Sequence, residues 1–461
     1  MVVDGEELTE DARDAYALDK SLRARLREAV EAHDGAAIDA LMEPLHPADI
    51  ADLLEQVSAA EREAWLTQWT GIDGEVLSEL EEGLREEVLT LLPDAQIAVA
   101  VRELDSDDVV DLLEDAAEDQ VEVILDALEP ADRAAVEAAM GYPEDTAGRL
   151  MQREIVAVPE HWTVGETIDY IRGQAGHLPE EFYHVILTDP RMKPTGYVML
   201  GRLLATVRGV KLADITEDSF RPIPASQPEE EVAYAFNQYH LITAPVVDDD
   251  GRLVGVITID DAMIVLDMEA EEDILRLAGV GEESSLSDGV IETTKQRFPW
   301  LFVNLVTSII ASLVIAQFEV ALATIVALAV LMPIVASMGG NAGTQSLTVA
   351  VRAIATKDLT PSNLLRVITR EAGVGLINGA IFAVVMGVVG VVWFGMPLLG
   401  VVIGGAMVIN LLVAGLAGIL VPVILDRLRI DPALASGAFV TTVTDIVGFF
   451  SFLGLAVLLL L

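Results

Sequence analysis

The 461-residue chain carries 28 basic and 74 acidic residues, a formal charge of −46, and no cysteine. Disulfides, thiolate metal centres and cysteine nucleophiles are thereby excluded, and so strong a negative charge argues against nucleic acid or anionic lipid as a ligand. The apolar content of 52% and the mean hydropathy of +0.46 average over two unlike polymers. From Lys295 onward eight basic residues stand against six acidic ones, a charge of +2, whereas residues 1–294 hold 20 basic and 68 acidic residues, −48.

That acidity has two readings: solubility in a salty cytoplasm, which accounts for most of it, or divalent-cation sensing, for which a few clustered carboxylates suffice. Residues 1–20 form an acidic tail without the apolar core of a signal peptide, which places the N-terminus in the cytoplasm. Residues 21–143 read as short amphipathic helices. The stretch LHPADIADLLEQVSAAEREAWL from Leu45 repeats as LDSDDVVDLLEDAAEDQVEVIL from Leu104, an offset of 59 residues. Asp49/Asp108, Asp52/Asp111, Leu53/Leu112, Leu54/Leu113, Glu55/Glu114 and Leu66/Leu125 correspond, so the region is expected to be an all-α superhelix of helix pairs.

Residues 144–206 and 207–268 switch to short β-branched runs alternating with helical ones. HVILTD (184–189), GYVML (196–200) and the two halves of APVVDDDGRLVGVITIDD (244–261), which turn at Asp249-Asp250-Gly251, are strand candidates. The segment EEEVAYAFNQYHLITAPVVDDDGRLVGVITIDDAM resembles a CBS domain, and residues 150–206 resemble a weaker first copy; CBS domains pack in pairs and commonly sense ligands. Thr258 and Asp261 occupy the strand-end position that often holds a ribose, which makes ATP a candidate modulator, although the same residues recur in CBS domains that bind nothing.

An acidic helix-like stretch, Asp260–Gly279, leads through a polar turn towards Lys295, so that residues 269–296 form a connecting region. Beyond it, in 297–461, lie five apolar stretches near or above the length that crosses a bilayer, about 298–318, 321–345, 372–395, 398–425 and 434–461. Basic residues fall at 295–297, 352–370 and 427–429, and the loops near Glu319 and Gly395 have none. This alternation predicts a multi-pass protein of the plasma (inner) membrane with a cytoplasmic N-terminus and an external C-terminus. The fold class is therefore multi-domain: helical superhelix, paired α/β CBS domains, connecting helix and five-helix transmembrane domain.

Two spans carry more than a lipid anchor needs. In LMPIVASMGGNAGTQSLTVAVRA, Pro333, Gly339, Gly340 and Gly343 suit either an unwound backbone lining a cavity or a close helix-packing seam. Packing does not account for Asn341, Thr344 and Gln345 clustering there. In FVTTVTDIVGFFSFLG, Asp445 is the one ionisable residue placed well inside the hydrocarbon, with hydroxyls at Thr441, Thr442 and Thr444. An acid at that depth requires water, a cation or a partner. No Lys or Arg lies within a predicted span, which leaves an ion contact or a protonated, hydrogen-bonded Asp.

GGNAGTQ (339–345), INLLVAGLAG (409–418) and DPALASGAFVTTVTDIVGFF (431–450) resemble the MgtE family of magnesium channels, and the domain order agrees over nearly the whole chain. The resemblance implies a homodimeric Mg²⁺-selective channel in the lipid bilayer whose cytoplasmic domains bind Mg²⁺ and hold the pore closed. It carries Asn341 and Thr344 into the filter beside Asp445. It places regulatory Mg²⁺ ligands in DDAMIVLDMEAEED, with Asp260, Asp261, Glu269, Glu272 and Asp273 as candidates, and in the helical domain at Asp107, Asp108 and Asp111, with Glu75 and Glu79 behind them. Ile264 stands where the family pattern has an acid, so one sensor site is expected to be weakened or rebuilt. A two-fold dimer would bring two Asp445 carboxylates to one axis, suited to Mg²⁺ that keeps most of its waters. The chain has no nucleophile–base pairing, no phosphate-cradling Gly-rich loop and no metal spacing among its six His, so neither an enzyme nor an ATP-driven pump is expected. The alternatives are a proton-coupled divalent-cation secondary transporter using Asp445 and a non-transporting membrane sensor.

Overall fold

A computed structural model of the chain describes residues 20–461 apart from 70, 175, 177, 180, 181 and 281–289. The expected acidic tail and most of the polar turn before Lys295 lie outside the described residues. Two compact units divide the chain between Asp267 and Met268.

The first unit opens with helices Lys20–Glu31 (α1), Gly35–Met42 (α2), Pro47–Glu55 (α3), Ala59–Leu66 (α4), Gly74–Ser78 (α5), Glu82–Leu91 (α6), Asp94–Ala100 (α7), Ser106–Asp115 (α8), Glu118–Ala127 (α9) and Pro130–Ala139 (α10). The repeat is visible in these bounds. The pair α3–α4 returns 59 residues later as α8–α9, and Leu53, Leu54, Leu112 and Leu113 enter one continuous core. Short helices hold because their ends are capped: Ser58 and Glu61 form a capping box at α4. Arg62 is 3% exposed; it donates to Leu54 O at 2.6 Å and pairs with Glu87 of α6 at 2.8 Å.

A short helix, Ala147–Leu150 (α11), precedes two three-stranded sheets of the same design. Ala157–Pro159 (β1) runs parallel to His184–Thr188 (β2), which pairs antiparallel with Pro194–Met199 (β3). Ile223–Pro224 (β4), Thr243–Val247 (β5) and Leu253–Thr258 (β6) repeat that order. Helices Val164–Gly173 (α12) and Leu200–Ala205 (α13) flank the first hairpin, and Glu229–Tyr239 (α14) and Ile259–Ala278 (α15) flank the second. Each hairpin turn is tied by one Asp: Asp189 accepts from Arg191 N and Lys193 N, and Asp248 from Asp250 N and Arg252 N. The sheets share buried Ile186, Tyr197, Leu253 and Val256, so the two copies form a packed pair. The helical region is pinned to that pair where Ser106 Oγ donates to Glu154 at 2.9 Å and accepts from Arg153 N at 2.8 Å.

The second unit contains Val290–Ala316 (α16), Glu319–Thr324 (α17), Val326–Ala355 (α18), Leu364–Phe394 (α19), Pro397–Arg427 (α20) and Pro432–Leu460 (α21). Five of these helices, all but α17, contain a stretch long and apolar enough to cross a membrane. The second span differs from expectation: the backbone breaks at Ile325, and α18 runs as one helix through Gly339, Gly340 and Gly343. The helix does not unwind there, and Gly339 and Gly343 are packed against neighbouring helices, whereas Gly340 has open space beside it. The third helix begins at Leu364, eight residues before the expected start at 372, which draws Glu371 inside it. At the centre, α20 packs against α18, α19 and α21, joined by Leu331, Val335, Ile403, Met407 and Phe452.

Leu112 is fully buried on α8 beside exposed Asp111. Replacing Leu112 by Ala should destabilise the helical region by about 2–5 kcal/mol, whereas Asp111→Ala should change it by less than about 0.5 kcal/mol; urea unfolding followed by tryptophan fluorescence distinguishes the two.

Candidate functional site

The membrane helix α18 has two unlike faces. Gly339, Gly343, Leu347 and Ala350 are buried against the rest of the unit. Ser337, Asn341, Thr344, Gln345 and Thr348, at helical spacing on the opposite face, are all exposed. Their side chains bond mainly within the helix: Thr344 Oγ1 donates to Gly340 O at 2.8 Å and Thr348 Oγ1 to Thr344 O at 3.0 Å. A hydroxyl that gives its proton to a carbonyl keeps its oxygen lone pairs for an outside donor, such as a water of a hydrated ion.

Helix α21 meets α18 at the glycines. A Cβ on Gly343 would lie 2.6 Å from Val440 and 3.5 Å from Thr444. Thr444 is wholly buried in that contact and Asp445, the next residue, is half-buried. The threonines were expected to surround the acid with hydroxyls. Instead Thr441 donates to Gly437 O, Thr442 to Ala438 O and Thr444 to Thr441 O, because a β-hydroxyl in a helix reaches the carbonyl one turn back more readily than a neighbouring side chain.

Two further polar groups lie inside this unit. Glu371 is 8% exposed and accepts from Ser346 Oγ at 3.0 Å, with the Arg370 guanidinium 3.6 Å from its other oxygen. Glu371 is thus a second acid on a helix apolar enough to cross a membrane, in its early part. The signal was present in the spacing, since Glu371 lies four and eight residues before the buried Gly375 and Gly379 and so shares their inward face. Asn410, wholly buried on α20, donates from Nδ2 to Val335 O at 2.8 Å.

In the first unit, the first turn of α8 and the start of α15 bring acids together. Asp107 is 7% exposed, and Asp108 is half-buried beside it. Burial, then the nearby Asp261 carboxylate, holds Asp107 well above the ordinary carboxylate range. Burial followed by Asp261, Asp111 and Asp105 pushes Asp108 up to about 7. Asp261 is also raised to about 7 by burial, opposed by its bond from Thr258 Oγ1 at 2.6 Å and reinforced by Asp260 and Asp111. The two residues expected at a ribose position are therefore bonded to each other, and Asp261 belongs to the acidic cluster. Asp260, Glu75 and Glu79 are exposed. Among the described residues no three acids or histidines are arranged to hold an ion directly.

The remaining acids of α15 lie in the second unit. Glu272 pairs with Arg276, and the same guanidinium reaches Asp431, which caps α21 by accepting from Ala433 N at 2.8 Å. Glu269 and Asp273 are half-buried on the same helix.

Residues 332–455 match the family model MgtE, described as a divalent cation transporter. Residues 45–145 match that of the MgtE intracellular N domain and 212–267 that of a CBS domain. The chain is 34% identical over 449 residues to a magnesium transporter MgtE of Thermus thermophilus, covering 96% of this chain and 99% of that protein. It is 30% identical over 434 residues to the magnesium transporter MgtE of Bacillus subtilis, covering 94% and 96%. A crystal structure of the cytosolic domain of the Mg²⁺ channel MgtE in complex with ATP is 32% identical with a TM-score of 0.48, covering 52% of this chain and 99% of that one.

An acid whose folded pKa is raised binds more protons folded than unfolded between its ordinary value near 4 and its folded value. Asp108 and Asp261 at about 7 should therefore make the first unit lose stability as pH rises from about 4 to 7 in chelator-treated buffer. Thermal unfolding at pH 5 and pH 8 should show the lower midpoint at pH 8, and Asp108→Asn should shrink the difference.

Proposed function

As this chain belongs to the MgtE family, we propose that it is a channel carrying Mg²⁺ across the plasma membrane, gated shut when Mg²⁺ binds its acidic cytoplasmic unit. The observation that carries the reading is the exposed row Ser337, Asn341, Thr344, Gln345 and Thr348 on a helix apolar enough to cross a membrane. Polar groups at that depth require protein or water beside them rather than lipid. A second copy placed two-fold against this face would cover the row and enclose a polar passage. Asn341, Thr344 and Asp445 line it in this reading, with a hydrated Mg²⁺ held through its waters by carboxylate, amide and hydroxyl oxygens.

Regulation is placed at Asp107, Asp108, Asp111 and Asp261. Buried like charges repel, so a divalent cation between them, held through water or by small side-chain shifts, relieves the repulsion and draws α8 towards α15. The acids of α15, including Asp260, Glu269, Glu272 and Asp273, extend the same cation-attracting helix, whose Arg276 reaches Asp431 at the start of α21. An adenine nucleotide at Thr258 and Asp261 is a further modulator in this reading, and it would compete with the cation for Asp261. The proposed orientation has the acidic unit in the cytoplasm and the C-terminus outside.

Liposome flux tests the pathway. Asp445→Ala should lower Mg²⁺ flux by at least about tenfold, with Ni²⁺ and Ca²⁺ as competitors and single-channel currents distinguishing a channel from a carrier; unchanged flux would remove Asp445 from the pathway. In the full-length chain, Asp107→Asn with Asp261→Asn should leave the channel conducting at an internal Mg²⁺ level that closes the wild type. Equal closure in both would end the gating proposal.

A further inference from the structure

Asn410 sits where three membrane helices meet, and its two ends are treated differently. Its side chain is 0% exposed. Nδ2 donates to Val335 O of α18, while Oδ1 is buried without a hydrogen-bond partner. Two glycines make room for it. A Cβ on Gly339 of α18 would overlap Nδ2 and lie 2.8 Å from Cγ, and one on Gly448 of α21 would lie 2.8 Å from Nδ2. The amide is therefore clasped between α18 and α21 while belonging to α20.

A second contact lies one turn away, where Gly343 of α18 meets Val440 and Thr444 of α21. The pairing Gly339 with Gly448 and Gly343 with Val440 and Thr444 makes the two helices antiparallel. The bracketed segments are 339–343 on α18 and 444–448 on α21, and they contain Asn341 and Asp445 respectively. The relative height of these two side chains is thus set by the contacts at either end of the bracket. One contact is apolar and tolerates sliding; at the other, the Asn410 bond to Val335 O holds α20 to α18 directionally, and α21 meets the same amide at Gly448. Leucine would fill a similar volume without leaving a buried acceptor unpaired, and burying an unpaired carbonyl oxygen is unfavourable. Packing alone does not favour an amide here.

We propose that Asn410 is a positioning residue for ion selection, bonding α20 to α18 and filling the space that Gly448 leaves on α21, and so setting the height of Asn341 relative to Asp445. The inference rests on the proposed Mg²⁺ pathway. A register slip of one residue moves a helix by about 1.5 Å, which is large against the narrow geometry that Mg²⁺ and its waters demand. Losing the bond should therefore alter which ion passes more than whether ions pass.

The test compares full-length wild type, Asp445→Asn, Asn410→Leu and Asn410→Ser in liposomes, with Mg²⁺ and Ni²⁺ influx measured separately and scaled to folded protein by size-exclusion chromatography. The expected result is an Mg²⁺-to-Ni²⁺ ratio shifted about tenfold in the Asn410 variants, with both fluxes lost in Asp445→Asn. Proportional loss of both ions in Asn410→Leu and Asn410→Ser, or failure of both variants to fold, assigns Asn410 a packing role and overturns the inference alone. A wild type that carries no Mg²⁺, or Asp445→Asn flux equal to wild type, strikes the pathway itself, and the inference falls with it.

Discussion

A polar side chain in hydrocarbon must find protein, water or an ion beside it, and the second unit is organised around that requirement. Helix α18 separates its needs by face. Gly339 and Gly343 allow α20 and α21 to approach closely, and Ser337, Asn341, Thr344, Gln345 and Thr348 gather on the opposite side. The small residues are therefore the reason the polar ones can stand together, since removing bulk from one face lets three helices pack and leaves the other free for function. Glu371 with Ser346, and Asn410 with Val335 O, meet the same requirement inside the unit by pairing across helices.

The first unit faces a different constraint. Here carboxylates are abundant, and they are costly where folding buries them and brings them together. Ser106 anchors α8 to Glu154 and Arg153, and that anchor brings Asp107 and Asp108 towards Asp261. Burial first, and the neighbouring carboxylates after it, raise all three carboxyl groups, whereas Asp260, Glu75 and Glu79 remain exposed. Of the large negative charge, these three carboxyl groups are a small part, and they are the part that the proposed mechanism assigns to a divalent cation.

Much of this was legible in the chain. Leu53-Leu54 and Leu112-Leu113, repeated with the same polar flanks, announced paired helices because the spacing of buried leucines is a local property. The Asp-Asp-Gly turn between β5 and β6 and the apolar lengths of the five spans were local in the same sense. The two roles of the GGNAGTQ segment were not separable by reading. Either an unwound backbone or a packing seam fitted its glycines, and the continuous α18 resolves them as packing while leaving Asn341 and Thr344 exposed. Glu371 falls one residue before the apolar stretch at 372–395, and the helix that carries it starts at Leu364, ahead of that stretch.

Composition and periodicity thus determined, by themselves, that an acidic region precedes five apolar stretches, that the helical region repeats, and that Asp445 is an acid among apolar residues. Those properties depend on residues close in sequence. Tertiary structure alone decided which carboxylates meet, that the α21 threonines bond to their own backbone, and that Asn410 is held between Gly339 and Gly448. Such facts depend on side chains brought together across tens to hundreds of residues, and only the packing of whole helices fixes their register.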